Sequence, residues 1–269
     1  MKFVIKPKII IPLGLLLLLI IVLSVILVIK LQPKIDYYKN NTIPVYYINL
    51  DKDIEREKLI QPILSQIFGK KNVNRIPGVL HKDGMQGVRL AHIKAHTQAI
   101  SNSALEEDDY YLICEDDLIP LETTETILRH IKEAKKFKKD LYLFVCTNRP
   151  EWIELEYEGN PHFYRLWGGV GNAGCYLCKK SFGRKLISFW QENTHDHIDW
   201  SWHKLWQTHG VYLSRPNLFV QRAGKSNQNF ETSGGDVLEI DGMVYRPDGD
   251  VHTTPFNWDK WDELQEELY

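Results

Sequence analysis

The chain has 269 residues, of which 43% are hydrophobic, and its 33 basic and 35 acidic groups give a formal net charge of −2. A disordered chain, a collagen and a disulfide-dense miniprotein are excluded, and the length suits one large domain or two small ones. The average conceals an uneven distribution: residues 1–30 hold four Lys and no acid, so the other 239 carry 29 basic and 35 acidic groups, a net of −6.

The first element in chain order is an uncharged run of 21 residues, 9–29, interrupted only by Pro12, Gly14 and Ser24. A helix of ~20 apolar residues crosses a ~30 Å hydrocarbon core. A cleaved signal has a shorter core of ~7–15 residues followed by small residues at the cut, a pattern missing after Ile29. A retained transmembrane anchor over 9–29 is expected, with 1–8 as a cytoplasmic tail and 30–42 as a stalk. The N-terminal amine and Asp36 tilt the charge balance toward an N-terminus inside. That makes a single-pass type II membrane protein with its body luminal (Golgi or ER) or extracytoplasmic. One sequon, Asn40-Asn41-Thr42, lies in the stalk.

The body opens with a β-branched and aromatic run over 43–50, which reads as a buried strand. Asp53 is placed to cap a helix whose inner face carries Ile54, Leu59, Ile60, Ile63, Leu64 and Ile67. Pro62 is expected to kink that helix, and Gly69 to end it. A short strand and turn follow at 75–79. The spacing of Leu90, Ile93, Thr97 and Ile100 predicts a helix over 88–103 with these residues inward. A second buried strand is expected over 109–114. A helix over 121–137 has Glu122 and Glu125 in its first turn and Lys132, Lys135 and Lys136 in its last, matching the helix dipole. Strands are expected over 141–145, 163–166, 174–177 and 211–213, with a helix over 181–192. Asp241-Gly242 between apolar flanks signals a hairpin over 237–245. Strands alternating with helices predict an α/β fold with a mixed, largely parallel sheet. No linker divides 43–269, so one catalytic-sized domain is expected. The four Cys are Cys114, Cys146, Cys175 and Cys178. Cys175-x-x-Cys178 has redox or half-zinc spacing, but no second pair completes a zinc site, and small buried strand residues are the expectation.

Chemistry concentrates at Glu115-Asp116-Asp117, directly after a buried strand. Ligands bind at the carboxyl ends of strands in an α/β sheet. Three adjacent carboxylates repel unless a cation sits among them. Glu115 and Asp117 alternate to one side of an extended chain and suit a hard ion, Mn²⁺ or Mg²⁺, which would neutralise a diphosphate leaving group. A solvated turn ahead of Pro120 is the competing reading. Asn49-Leu50-Asp51 and Arg56 could dock a nucleotide, or simply cap and decorate the first helix. His92 and His96, four apart on a helix, fit a cleft-lining or core pair better than a metal pair, and no Glu stands where a zincin needs one.

These segments fall into a known order. IPVYYINLDKDIEREKLI, RIPGV, GVRLAHIKAHTQAI and YYLICEDDL resemble the signature of glycosyltransferase family 25. That family includes lipooligosaccharide glycosyltransferases and procollagen galactosyltransferases. The resemblance continues through GNAGCYL at 171–177 and PNLFVQ at 216–221 with Ser226 and Asn227, and spans about 43–230. It departs at Leu90-Ala91-His92, where the family has a small or Cys residue and Ser before the His. The resemblance implies a GT-A type nucleotide-sugar transferase fold. It implies inverting transfer of galactose or glucose from a UDP-sugar to a hydroxyl of a glycan, a lipid-linked or a protein acceptor. The triplet would serve as a D-x-D motif, with Glu115 and Asp117 on Mn²⁺ or Mg²⁺. Asn49, Leu50, Asp51, Arg56, Arg75, His92, Glu115 and Asp116 would line the nucleotide-sugar site.

Inverting displacement needs a base for the acceptor hydroxyl and positive charge at the diphosphate. Asp199 is the candidate base, as the resemblance places an Asp there, and Asp196 is second. Asp199 could equally cap the helix that follows. Trp200, Trp202 and Trp206 could stack on sugars, although the i,i+4 spacing of Trp202 and Trp206 better suits a buried helix face. Arg222, Lys225 and His252 are candidates to hold the diphosphate or metal from the far side. An inactive, membrane-anchored adhesion or carbohydrate-binding protein of the same fold is the alternative, and intact Glu115, Asp117 and Asp199 favour the enzyme. A nucleic-acid partner is not expected of an acidic body with no basic patch.

Overall fold

The computed structural model describes residues 20–26, 43–146, 153–168, 172–194, 198–222, 238–240, 243–245 and 256–266. The chain forms two units, residues 1–41 and residues 42–269. In the first, residues 20–26 are helical (α1), with Ile20, Ile21 and Leu23 more than half exposed. The rest of the expected 9–29 span, the tail and the stalk lie outside the described residues. Among the described residues no helix is long and apolar enough to cross a membrane.

The second unit is built on an eight-stranded sheet in the order β2-β1-β3-β8-β5-β9-β7-β6. The strands are β1 (Val45–Asn49), β2 (Val73–Pro77), β3 (Tyr110–Glu115), β5 (Leu141–Leu143), β6 (Glu154–Glu156), β7 (Phe163–Gly168), β8 (Cys175–Lys179) and β9 (Val211–Ser214). β1 pairs in parallel with β2 and β3, and β5 with β9, while β8 and β7 run antiparallel to both their neighbours. Six of the eight strands therefore point one way, the mixed, largely parallel sheet expected from alternating elements. Helices cover both faces, which is why β1, β3, β5 and β8 are apolar in near-continuous runs. α2 (Ile54–Phe68) and α4 (Thr124–Phe137) lie on one face, where Tyr142 donates to the Ala134 carbonyl at 2.8 Å. α3 (Gly84–Ile100) and α5 (Lys180–Glu192) lie on the other, with α6 (Ile198–Ser201) against α3. α7 (Trp258–Glu266) buries Trp258 and Trp261 in the same core as Trp190, Trp202 and Trp206.

Several expectations change. α2 runs through Pro62 to Gly69 and buries Ile60, Leu64, Ile67 and Phe68, but leaves Ile54 and Leu59 about half exposed. Asp53 stands at its N-cap without a side-chain capping bond. α3 begins at Gly84, capped by Asp83 on the Met85 and Gln86 amides, and its fully buried positions are small or polar residues, with Ile93 of the expected stripe packing only at the core's edge. Its buried residues are Gly87, Arg89, Ala91, His92, Ala95, His96 and Ala99, whereas Leu90 and Thr97 are exposed. Small Ala residues let the helix approach the sheet closely, and the polar side chains between them find buried partners. α4 starts at Thr124, with Thr123 accepting from the Thr126 amide, and residues 118–120 before it are taken by another pairing. They form β4 (Leu118–Pro120), antiparallel to β10 (Phe219–Gln221). β11 (Leu238–Ile240) and β12 (Met243–Tyr245) pair antiparallel as the hairpin signal required, the Asp241-Gly242 turn lying outside the described residues.

Candidate active site

The acidic triplet sits where β3 turns into β4, and two distant segments clamp it. β10 brings Gln221 beside Glu115, and the Arg222 amide donates to the Asp117 carbonyl at 2.5 Å. Glu115 ends β3, while Asp116 and Asp117 form the tight turn before β4. The triplet is thus a held corner between sheet and ribbon, and the solvated-turn reading does not describe it.

Each carboxylate has a different environment. Asp116 accepts from Asn49 Nδ2 at 2.8 Å and from Arg56 Nη1 at 2.9 Å. Burial raises its pKa, and the charge of Arg56 and the bond from Asn49 offset only part of that rise. Asp117 lies 3.7 Å from Arg56 Nη1 through Oδ2, while its Oδ1 is buried and without a hydrogen-bond partner. Burial first, and then the negative charge of Glu115, push Asp117 up to about 7. Glu115 accepts from Gln221 Nε2 at 3.1 Å on one oxygen and faces His92 Nε2 at 3.3 Å on the other. Burial lowers the pKa of Arg56, but Asp117 and Asp116 outweigh it and hold the guanidinium above its ordinary value. Arg222 is shifted down by burial, and its Nη1 is a second buried polar atom without a partner.

The structure brings together Asn49, Arg56, Glu115, Asp116 and Asp117, with Asp51 and Arg75 alongside. Asn49 is a clamp: it gives Nδ2 to Asp116 and to the Asp53 carbonyl, and its Oδ1 accepts from Arg75 Nε at 3.0 Å and Nη2 at 2.9 Å. Arg75 also reaches Asp51 at 2.8 Å and Glu57 at 3.3 Å. Leu50 is half-buried, and its carbonyl accepts from the Asp53 amide. His92 is fully buried on α3, with both ring nitrogens engaged, Nδ1 by the Tyr176 hydroxyl at 2.8 Å. Asp199 lies inside the first turn of α6, not at a cap. The loop before it is tied to α3, where Gln86 and Arg89 both donate to the Thr194 carbonyl. Trp202 and Trp206 are fully buried, as their spacing indicated. Lys225, His252, Asp196 and the Trp200 side chain lie outside the described residues. All four Cys are buried, with the Cys114 and Cys175 thiols in contact across β3 and β8 at 3.6 Å between sulfurs. Sequence reasoning missed Gln221, which bonds Glu115, and Asn172 and Tyr176, which hold Gln221 and His92 behind it. Two of these stand in the GNAGCYL segment and one in PNLFVQ, but nothing local in either segment points at Glu115.

A divalent ion fits part of this set. Asp117 Oδ1 is an unpartnered hard oxygen, and Glu115 is a second carboxylate on the same corner. Among the described residues no group of three or more His, Cys, Asp or Glu could hold a metal alone. Mg²⁺-like ions commonly bind through one or two carboxylates plus substrate phosphates and water, and Glu115 and Asp117 would be those carboxylates.

No family model matches the chain, and no curated protein matches it. Among solved structures it is similar to a glycosyltransferase involved in the glycosylation of the major capsid of PBCV-1, at 12% identity and TM-score 0.39, over 69% of this chain and 94% of that one. A putative glucose-1-phosphate thymidylyltransferase from Bacillus anthracis, in complex with a sucrose, matches at 13% identity and TM-score 0.38, over 65% and 69% of the two chains. The glycosyltransferase GlyE of Streptococcus pneumoniae TIGR4 matches at 13% identity and TM-score 0.33, over 63% of this chain and 45% of that one. Likenesses this loose say nothing of the chemistry, which is read from this chain's own residues.

Proposed function

We propose that this chain is a metal-dependent, inverting glycosyltransferase of GT-A type that moves galactose or glucose from a UDP-sugar to a hydroxyl of a glycan, lipid-linked or protein acceptor. The observation that carries the reading is Asp117: a carboxylate with a buried, unpartnered oxygen, beside Glu115, at the carboxyl end of a sheet strand. The family 25 resemblance over 43–230 supports it.

In this reading Glu115 and Asp117 hold Mn²⁺ or Mg²⁺, which when bound supplies positive charge at the leaving diphosphate. Arg56 and Arg222, the cations nearest the triplet, add to that charge. Asn49, Arg75 and Asp116 keep the corner rigid, with Leu50 and Asp51 at the nucleotide. Asp199 takes the proton of the acceptor hydroxyl as that oxygen attacks the anomeric carbon. The apolar run over 9–29 is proposed as the anchor that keeps the domain at a membrane, luminal or extracytoplasmic.

The test is a panel of UDP-sugars offered to the full chain with Mn²⁺, read as UDP release and acceptor mass. Release with one donor supports the reading. No release and no Mn²⁺-dependent UDP binding with any donor would sink it. Asp199→Ala should bind UDP normally and fail to transfer, and normal turnover in that variant moves the base elsewhere.

A further inference from the structure

The two oxygens of Glu115 are approached by separate chains of hydrogen bonds, and the direction of each chain can be deduced. On one side the sequence starts from a backbone group. The Gly174 amide donates to Asn172 Oδ1 at 2.6 Å. Asn172 therefore presents Nδ2, which donates to Gln221 Oε1 at 3.0 Å. Gln221 in turn presents Nε2, which donates to Glu115 Oε2 at 3.1 Å. An amide has one acceptor end and one donor end, so no link can be reversed without breaking the bond to Gly174.

The other side runs into the core. A carboxylate only accepts, so the His92 Nε2 that faces Glu115 Oε1 carries a hydrogen. In neutral His92, Nδ1 then accepts from the Tyr176 hydroxyl at 2.8 Å. The Tyr176 oxygen accepts from His96 Nε2 at 2.9 Å, and His96 Nδ1 accepts from Tyr111 at 2.5 Å. All four side chains are buried. Burial, and then the neighbouring His92, hold His96 well below its ordinary pKa, so it stays neutral as this array requires. Two glycines make room. A Cβ on Gly174 would stand 2.8 Å from Asn172 Oδ1, and one on Gly183 would collide with the Tyr111 hydroxyl.

We infer that His92, Tyr176 and Gln221 are positioning residues: their two one-way arrays give each Glu115 oxygen one donor and fix the carboxylate so that its remaining lone pairs form a preset ligand for a divalent cation. The inference rests on the proposed donor site and assigns three residues to it. Partners that orient a metal ligand are commonly worth about 10–100-fold in metal affinity. Tyr111 is two bonds further from His92 than Tyr176 is, so its loss should reach Glu115 weakly.

UDP binding to the full chain, titrated by calorimetry in Mn²⁺ and again in EDTA, separates the outcomes. Tyr176→Phe and Gln221→Ala should each weaken Mn²⁺-dependent UDP affinity by about 10–100-fold. Metal-free affinity should stay within about twofold, and Tyr111→Phe, two links further out in the array, should keep Mn²⁺-dependent affinity within about threefold. Gln221 is only half-buried, so its variant reports even where Tyr176→Phe does not fold. Unchanged Mn²⁺ dependence in Gln221→Ala overturns the inference. So does an equal loss with and without metal, or a Tyr111→Phe effect as large as that of Tyr176→Phe. A wild-type chain whose UDP binding ignores Mn²⁺ overturns the proposed function, and this inference with it.

Discussion

The two ends of the sheet treat charge in opposite ways. Around β9, β7 and β6 the ions are matched. Arg215 donates to both oxygens of Asp262, at 2.9 and 2.5 Å, and lies over the rings of Tyr164 and Trp258. Lys139 pairs with Glu158 at 3.3 Å above Phe137 and Tyr212. The bond to Asp262 holds Arg215 above its ordinary pKa. Burial works against the ions of Lys139 and Glu158, yet hydrogen bonds with Tyr212 and with each other win, raising the lysine and lowering the acid. At the β1–β3 end three consecutive carboxylates crowd one corner, with Arg56 against Asp116 and Asp117, and burial wins instead, raising Asp116 and Asp117. Matched ions stabilise a fold. Crowded acids cost stability, and the cation proposed for this corner would offset that cost.

The comparison breaks most sharply if the crowded corner can be emptied. Asp117→Ala removes the unpartnered oxygen and one of the repelling charges. It should weaken Mn²⁺-dependent UDP binding by at least ~100-fold, beyond what outer partners alone cost, while the melting temperature holds or rises. A variant that binds UDP and Mn²⁺ normally would make the corner structural. The next effect is on stability and pH. Asp117 titrates at about 7 in the folded chain against ~3.9 unfolded. The folded state thus holds a proton that the unfolded state has released. Stability from this group is full below ~3.9 and is lost as pH rises toward the folded value, with a slope approaching ~1.4 kcal/mol per pH unit. Denaturant melts of the metal-free chain from pH 4 to 8 should show that fall, and Asp117→Asn should flatten it. A stability that climbs over the same range contradicts it.

The matched end gives the opposite result. Arg215→Ala breaks the two-pronged bond to Asp262 and the contacts with Tyr164 and Trp258. It should cost ~1.5–3 kcal/mol, as hydrogen bonds to charged groups do, and leave UDP affinity unchanged. An effect on UDP binding with full stability would mean that α7 belongs to the site. The crowded corner is only half legible in the sequence. Apolar runs announce β1 and β3 because both faces of these strands are covered, and the triplet stands out because it follows such a run directly. β4 and β10 have three residues each, too few to show a period. Gln221 reaches Glu115 across 106 residues of chain, a distance over which only the sheet order sets the pairing.

α3 teaches the same point in one helix. Its sequence carries an apolar stripe, Leu90, Ile93 and Ile100, that reads as the core face. The folded helix instead buries Arg89, His92 and His96 between alanines and leaves Leu90 42% exposed. Hydrophobic spacing reports which face avoids water by itself, and here the partners available to the polar face outweigh it: Tyr111, Tyr176, Glu115 and the Thr194 carbonyl. Leu90→Gln should change stability by less than ~0.5 kcal/mol, as surface substitutions do. Ala95→Leu, one turn further along on the buried face, should cost ~1–3 kcal/mol by overpacking. Equilibrium unfolding of the two variants side by side decides between the faces. If Leu90→Gln proves the costlier, the stripe is the packed face after all, and His92 is not where the relay to Glu115 needs it.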